Sequence, residues 1–595
     1  MAIHEQTATF DVVVVGGGFS GVCAAIAAAR EGAKVALVQN RPVFGGSGSS
    51  ETRMHIVGAN CHSSKPNLRE TGILEEILLE NKRRNPYADF PVFDTIVWEK
   101  VRMEPNITIL LNTNIDDVLL DGDRILAVTG CQNTTETRWT VYGKIFIDAT
   151  GHGTVGVMAG AESRIGSESK HEFNEPTAPE TANNNKMGNT IMFTAIDRGE
   201  PVTFIKPVWA NTYSEEDLKY RPHVDRVCAQ ADGGGLVSVD AAKNQLPEFS
   251  NVDAGYWWIE LGGDAEDIIQ ESEQIHEDLL KVLYGVWDHM KNYGDHGVEN
   301  WELEWIGFMP GKRESRRYVG KYIVTQNDVE SGGRFEDTIA YGGWSMDDHF
   351  PQGFYYKDGH PTIYHPAPAP WGLPLRCMIS ENIENLCFAG RNISVTHAAL
   401  SSSRVMATCA VLAQALGTAV SYAVRDNAAL ENVDIKKLQQ TLAEDDCFIP
   451  RYKRELPRLT RAAACSAEVV RNGTERGEQN CWVGKKGDII EYEFDSDTEI
   501  SGIRLVFDSD LNRDYHNMPC SYPLVQTKFK LPETLIKEYK IEIISENGAV
   551  ESLYIDDNHQ RFVKHKINRK ANKIRFVPIK SWGCDELRLF DFEIC

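Results

Sequence analysis

Basic side chains are in short supply: 62 Lys and Arg stand against 86 Asp and Glu, a formal net charge of −24. A chain this acidic does not condense on phosphate backbones or anionic bilayers, so nucleic acid and membrane surfaces are excluded as partners. Long apolar runs are missing as well; none is read as approaching the roughly 20 residues of a membrane span. There is no internal repeat and no low-complexity tract. The first valine-rich strand begins within the first dozen residues, which leaves no room for a signal peptide. The 13 cysteines are an odd, scattered set. They read as free, mostly buried thiols in a reducing compartment, which places the protein in the cytoplasm. What remains is ordinary for a globular protein: 42% hydrophobic and 25% charged over 595 residues, enough for more than one domain.

One stretch organises the rest. Phe10-Asp-Val-Val-Val-Val-Gly-Gly-Gly-Phe-Ser-Gly21 runs into an Ala-rich segment with helical spacing, then into a second valine strand ending at Val38. Gly16, Gly18 and Gly21 fill the three glycine slots of a dinucleotide fingerprint, for the tight turn, the close approach of a pyrophosphate, and helix–strand packing. Phe19 and Ser20 then open a helix whose free N–H groups and dipole favour phosphate. The acid that usually meets the ribose is absent, and Gln39, Asn40 and Arg41 stand in its place. A Gln amide still both donates to and accepts from a diol. Gly45, Gly46, Ser47 and Ser50 follow as a loop of small residues on the ligand side of the βαβ unit. Strands are expected over 107–111, 115–120 and 125–129, and a further one from Gly143 runs into Asp148, Ala149, Thr150 and Gly151, a second strand-to-glycine junction.

A glycine fingerprint, a small β-meander and a strand ending in Ala-Thr-Gly resemble, in that order, FAD-dependent oxidoreductases of the glutathione-reductase-like fold. A third mark lies at Leu386-Cys-Phe-Ala-Gly-Arg391 and the Ser401-Ser-Ser-Arg404 segment. It is similar to the late strand–Gly–helix element by which that superfamily closes over the flavin. The nearest resemblance is to the broad family beside tricarballylate dehydrogenase and the fumarate-reductase-like flavoproteins. It implies FAD rather than NAD, with Gly390, Arg391, Ser402, Ser403 and Arg404 joining the cofactor-binding set. Read physically, a long helix is expected from near Ser401 to about Val424, its first turn carrying serines that cap it or touch the flavin. Arg404 in that first turn opposes the dipole, which suggests that it faces an anion.

Residues 166–375 are expected to form an inserted α+β substrate domain. A basic octet, Pro310 to Arg317, follows an apolar strand, and the stretch 342–373 is dense in aromatics and histidines with Gly and Pro between them. It reads as an ordered binding loop suited to a flat or polyhydroxylated ligand, without the fixed spacing of a metal site. From about Arg461 short alternating strands take over and resemble a galactose-binding-like (discoidin-type) jelly roll, with Trp482 and Trp582 as supporting marks.

The expected architecture is therefore an α/β Rossmann-like FAD-binding domain (1–165 and 376–430), the inserted domain (166–375), a helical connector (431–460) and a C-terminal all-β sandwich (461–595). The expected reaction is hydride transfer from a CH–OH of a sugar-like small molecule to flavin N5, with an electron acceptor the sequence does not name and a homo-oligomer allowed. His397 is the first candidate base and His55 the second; Arg313 and Arg376 bind a substrate carboxylate or an oxyanion. The rivals are CH–CH chemistry of the fumarate-reductase type, with an Arg as proton carrier, and a carbohydrate-binding protein with a vestigial flavin fold.

Overall fold

Val12 to Val15 at the end of β1 (His4–Val15) are buried on both faces, as a central parallel strand requires. β1 pairs in parallel with β2 (Val35–Val38) on one side and β6 (Thr137–Asp148) on the other. The order of the mixed seven-stranded sheet is β3 (Ile107–Leu110), β2, β1, β6, β5 (Arg124–Gln132), β4 (Thr113–Asp121). The first half of β6 carries the antiparallel meander β4–β5, and its last three residues pair in parallel with the strand Leu386–Phe388. Val15, Asp148 and Phe388 are register partners, so the three glycine junctions end level with one another. The structure, a computed structural model, describes all residues except 1–3, 63, 222–229, 232–234, 237–255, 295, 514–517 and 519–528.

Helix α1 (Phe19–Arg30) packs between this sheet and the helix Met406–Asp426, which is buried along nearly its whole length. That second helix corrects an expectation. At 21 residues it is long and apolar enough to cross a membrane, although 94% of its most apolar window is buried inside the protein. Its single Gln, Ser and Thr positions hid the run from a search for unbroken apolar sequence. The late element is corrected too: one long helix was expected, and two are found, His397–Ser403 and Met406–Asp426. The three serines close the short helix rather than open the long one, and its cap is Thr396, whose side chain accepts from Ala399 N. Arg404 sits at the C-cap, where the dipole favours a cation.

In the inserted region the strand Asn189–Asp197 pairs antiparallel with Tyr256–Leu261, Trp301–Ile306 and Gly311–Lys312, and the helix Ser272–Asn292 packs against it. The stretch 342–373, expected as a loop, is largely paired: Met346–His349 forms a ladder with Thr362–His365, and Trp371–Pro374 with Thr338–Gly342. Gly and Pro there punctuate hairpins rather than abolish them.

The described C-terminal strands form one antiparallel seven-stranded sheet. Residues 489–494 and 500–507, which the alternating pattern reads as two strands, belong to a single strand, Ile490–Phe507, whose pairing shifts between Glu493 and Thr498. Arginines fasten this sheet to the rest of the chain. Arg513 pairs with Glu75 of α2 (Ile73–Arg84) at 2.7 Å, and Arg476 donates to the carbonyls of Asn67 and Arg69. Arg454 of the connector meets Glu475 and Asp591, each at 2.8 Å, and also Glu593. Replacing Arg454 by Met removes the ion pair of Glu593 and leaves Glu475 and Asp591 to Arg504 alone. Equilibrium unfolding in urea is expected to show a loss of about 3–5 kcal/mol, with FAD content of the folded protein unchanged.

Candidate active site

A cavity of about 530 Å³ opens at the level strand ends. It is lined by Gly16, Gly18, Phe19, Ser20, Gln39, Asn40, Arg41, Gly45, Gly46 and Ser47. Ala149, Thr150, Gly151, Gly390 and Arg391 line it too, as do Arg313, His55 and Arg404. Gly16 holds φ +107°, and a Cβ there would lie 2.2 Å from Ala149 O, so the turn admits only glycine. Gly21 lies outside the lining and does the packing work of the third slot: a Cβ on it would stand 1.8 Å from Gly16 O.

Several residues expected at the cofactor do something else. Asp148 is fully buried behind the lining; its carboxylate accepts from Thr150 N and Oγ1, Gly156 N and Tyr318 OH, so it shapes the turn instead of touching a ligand. Gln39 lines the cavity, but its carbonyl accepts from Gly17 N at 3.0 Å and its NH2 donates to Val43 O at 3.1 Å. The amide expected for the ribose thus ties the glycine turn to the following loop. Ser50 is outside the lining, its backbone N–H held by Asp94. Ser402 donates to Trp344 O and accepts from Trp371 Nε1, and Ser403 donates to Ala399 O; both are buried in the short helix.

The candidate catalytic residues divide. Arg376 is exposed, paired with Asp337 at 3.0 Å and away from the cavity. His397 lies outside this lining, in a second pocket of about 200 Å³, with Nδ1 2.9 Å from Glu314 and Nε2 3.1 Å from Asp348. Burial opposes its charge, but the two carboxylates outweigh that and hold the ring well above its ordinary value. His55 lines the cavity, and burial, aided by His62, pulls it down to about 3, so it is neutral.

The residue that sequence reasoning passed over is His349. It lines the cofactor cavity and the second pocket alike, forming part of the wall between them. Its Nδ1 is 2.8 Å from Glu260, while Nε2 has no hydrogen-bond partner among the described residues and stands 3.5 Å from Asp347. Arg313 approaches Glu260 at 3.4 Å and Arg404 approaches Asp347 at 3.3 Å. Arg313, Glu260, His349, Asp347 and Arg404 therefore form a chain that alternates in sign when the ring is protonated, with one positive charge in excess, and that balances when it is neutral. Burial would lower His349; Glu260 and then Asp347 reverse this and hold it above its ordinary value. Burial likewise opposes ionisation of Glu260, yet Arg313 and His349 bring it down to about 2. The available signal was a lone acid, Glu260, in a strand of large apolar residues, and the Asp347-Asp348 pair, which a strand must send to opposite faces.

On the same lining, Lys312 Nζ lies 3.0 Å from His152 Nε2 and donates to Ser272 Oγ. Burial and then Arg391 lower it to about 8. Arg391 has no carboxylate partner among the described residues, and its Nε is buried without a hydrogen bond. Burial takes its pKa down to about 10. A buried cation without an anion, beside a helix N-terminus whose first turn has no acid, fits a pyrophosphate.

The sheet, the level glycine junctions and the uncompensated cations over one cavity define a dinucleotide-binding flavoprotein. The FAD dependent oxidoreductase family model matches residues 11–442, and the chain belongs to that family. It is an FAD-dependent enzyme, as the sequence implies. Among solved structures, a geranylgeranyl bacteriochlorophyll reductase-like protein from Thermoplasma acidophilum is 12% identical over 74% of this chain and 84% of that one, with a TM-score of 0.35. Quinol fumarate reductase of E. coli is 13% identical, covering 74% of both chains, with a TM-score of 0.27. A family 32 carbohydrate-binding module of Streptococcus pneumoniae EndoD is 9% identical over 22% of this chain and 83% of that one, with a TM-score of 0.17.

Substituting Met for Arg391 keeps the bulk and removes the charge. Titration of the apoprotein with FAD, followed by quenching of flavin fluorescence, is expected to show affinity reduced by about ten- to a hundredfold, the range for one hydrogen bond to a charged group.

Proposed function

We propose that the protein oxidises a CH–OH group of a small polyhydroxylated molecule and that His349, not His397, takes the hydroxyl proton. The carrying observation is the orientation of the ring: Nδ1 is held by Glu260, and Nε2, at the cofactor cavity, makes no hydrogen bond among the described residues and lies 3.5 Å from Asp347. A carboxylate behind an imidazole fixes its tautomer and raises its basicity. Bound FAD supplies the two-electron acceptor. Arg404 and Arg313, each half-neutralised by an acid, supply positive charge where a hydroxyl loses its proton, which lowers the cost of the alkoxide in a dry site. His55, neutral and on the same lining, adds a polar contact without adding charge.

One observation favours a second reading, CH–CH oxidoreduction of the fumarate-reductase type. Arg404, on the same lining, has its Nε buried without a hydrogen bond among the described residues, and an arginine so placed suits a substrate carboxylate or a proton on its way to carbon.

For residues 461–595 the proposal is a galactose-binding-like jelly roll with a structural role, supported by its buried arginine ties to α2 and the connector. Trp582 supports the same view: its indole N–H donates to Asn558 O at 2.8 Å and Lys537 covers its ring.

Anaerobic bleaching of the flavin over a panel of sugars, glycosides and carboxylic acids tests the proposal. His349→Asn is expected to retain FAD and to slow bleaching by a polyol about 10²–10⁴-fold, the usual contribution of a positioned base. Full bleaching by His349→Asn, together with its loss in Arg404→Lys, favours the second reading. Since the accepting ring must be unprotonated and its pKa lies above 6.5, kcat/KM for oxidation is expected to fall as pH drops through that raised value and to level off above it.

A further inference from the structure

Outside the cofactor cavity, the far end of the helix Ser272–Asn292 brings together His289 of its last turn, His296 beyond it, and Glu215 from a segment more than seventy residues earlier. The ligand atoms of the three side chains lie within 4.8 Å of one another. We propose that they bind a divalent transition-metal ion of the zinc class.

The donor set is the first argument. Two imidazoles and one carboxylate suit zinc and its neighbours, whereas calcium and magnesium prefer oxygen alone. Spacing is the second. Bonds of about 2.0–2.1 Å in tetrahedral geometry set neighbouring ligand atoms ~3.3 Å apart. Glu215 Oε1 is 3.3 Å from His289 Nε2 and 3.2 Å from His296 Nε2.

The third is the surrounding hydrogen bonding. His289 Nδ1 lies 2.9 Å from Tyr213 O. A carbonyl only accepts, so the proton is on Nδ1 and Nε2 turns its lone pair toward the carboxylate. Metal-bound histidines are held in this way by a backbone carbonyl. His296 Nε2 lies 2.7 Å from Tyr293 O, so in the metal-free protein that nitrogen carries a proton shared between Tyr293 O and Glu215. The cation takes the place of this proton. Binding therefore weakens as pH falls.

Burial is the fourth. The His289 and His296 side chains are 2% and 4% exposed and Glu215 is 65% exposed, so two ligands are preset and the third leaves a solvent path for entry and for a water ligand. The position at a helix C-terminus also favours a cation. Such an ion would clamp the segment around Thr212 and Tyr213 to the helix that supports the substrate-domain sheet.

The test uses the full FAD-loaded chain, stripped with a chelator and re-equilibrated with Zn²⁺ or Co²⁺. One zinc per chain retained through gel filtration is expected, with visible Co²⁺ absorption of a site containing nitrogen ligands. Zinc is expected to raise the melting temperature of the wild type and not of His289→Gln, and affinity is expected to drop at least about tenfold in His289→Gln and His296→Gln. Should those variants fail to fold, Glu215→Gln at the exposed ligand gives the same reading, tenfold weaker binding with FAD absorbance unchanged. Substoichiometric zinc, a Co²⁺ spectrum equal to that of the free ion, or affinity unaltered by Glu215→Gln overturns the proposal and leaves a proton-bridged cluster.

Discussion

The fold hangs on one buried carboxylate. Asp148 ends β6, and its two oxygens accept from Thr150, Gly156 and Tyr318 while its backbone carbonyl accepts from Ala389 N and the Asn392 side chain. Four chain segments, two of them more than 160 residues away, therefore close on a single residue at 0% exposure. An acid in such a place is tolerated only when its lone pairs are satisfied, and here the satisfying donors are the turn that faces the cofactor and the strand that closes over it. The Tyr318 ring that donates to Asp148 also stacks on Phe388 at 4.2 Å, so the polar and apolar parts of the junction hold the same alignment. Through that alignment the glycine turn after Val15, the turn after Asp148 and Gly390 share one rim.

The charged part of the cavity lining is built on the opposite principle, with charges paired but not saturated. The buried alternation of Arg313, Glu260, His349, Asp347 and Arg404 draws on four separate segments, so none of its charges is neutralised by a sequence neighbour alone. Such an array is expensive to bury and is a poor way to stabilise a fold. It concentrates field and proton affinity at the wall of a cavity, and functional sites are where perturbed groups usually gather. His349 also separates the cofactor cavity from the pocket of His397, where Glu314 and Asp348 clamp a second imidazole. Adjacent residues of one strand, Asp347 and Asp348, thus serve two chambers.

The C-terminal sheet is fixed by the same chemistry at lower risk. Arg454, Arg504, Arg513 and Arg561 are nearly unexposed and each reaches carboxylates or carbonyls across a boundary between segments. Guanidinium groups bridge several acceptors at once, which suits joints between units that could not share one apolar core. The apolar cores of the sheet and of the cofactor domain are separate clusters, with Leu79 of α2 joining the former and Met518 the latter.

The chain alone determined the cofactor domain, because its signals are local: β-branched runs, glycines at fixed offsets and an Ala-rich helix impose strand, turn and helix within some thirty residues. The three junctions and the strands of the meander were legible for that reason. The break between Ser403 and Met406 was not, since helical residues run through it and only tertiary contacts, such as Arg404 with Asp347, bend the chain there. Nor did local pattern reveal His349 as the ring at the cavity, Arg376 as a surface residue, or Asp148 as a hub rather than a ligand. Each of these depends on partners dozens to hundreds of residues away, and the position of a side chain relative to such partners is a property of the assembled sheet and helices, not of the sequence around it.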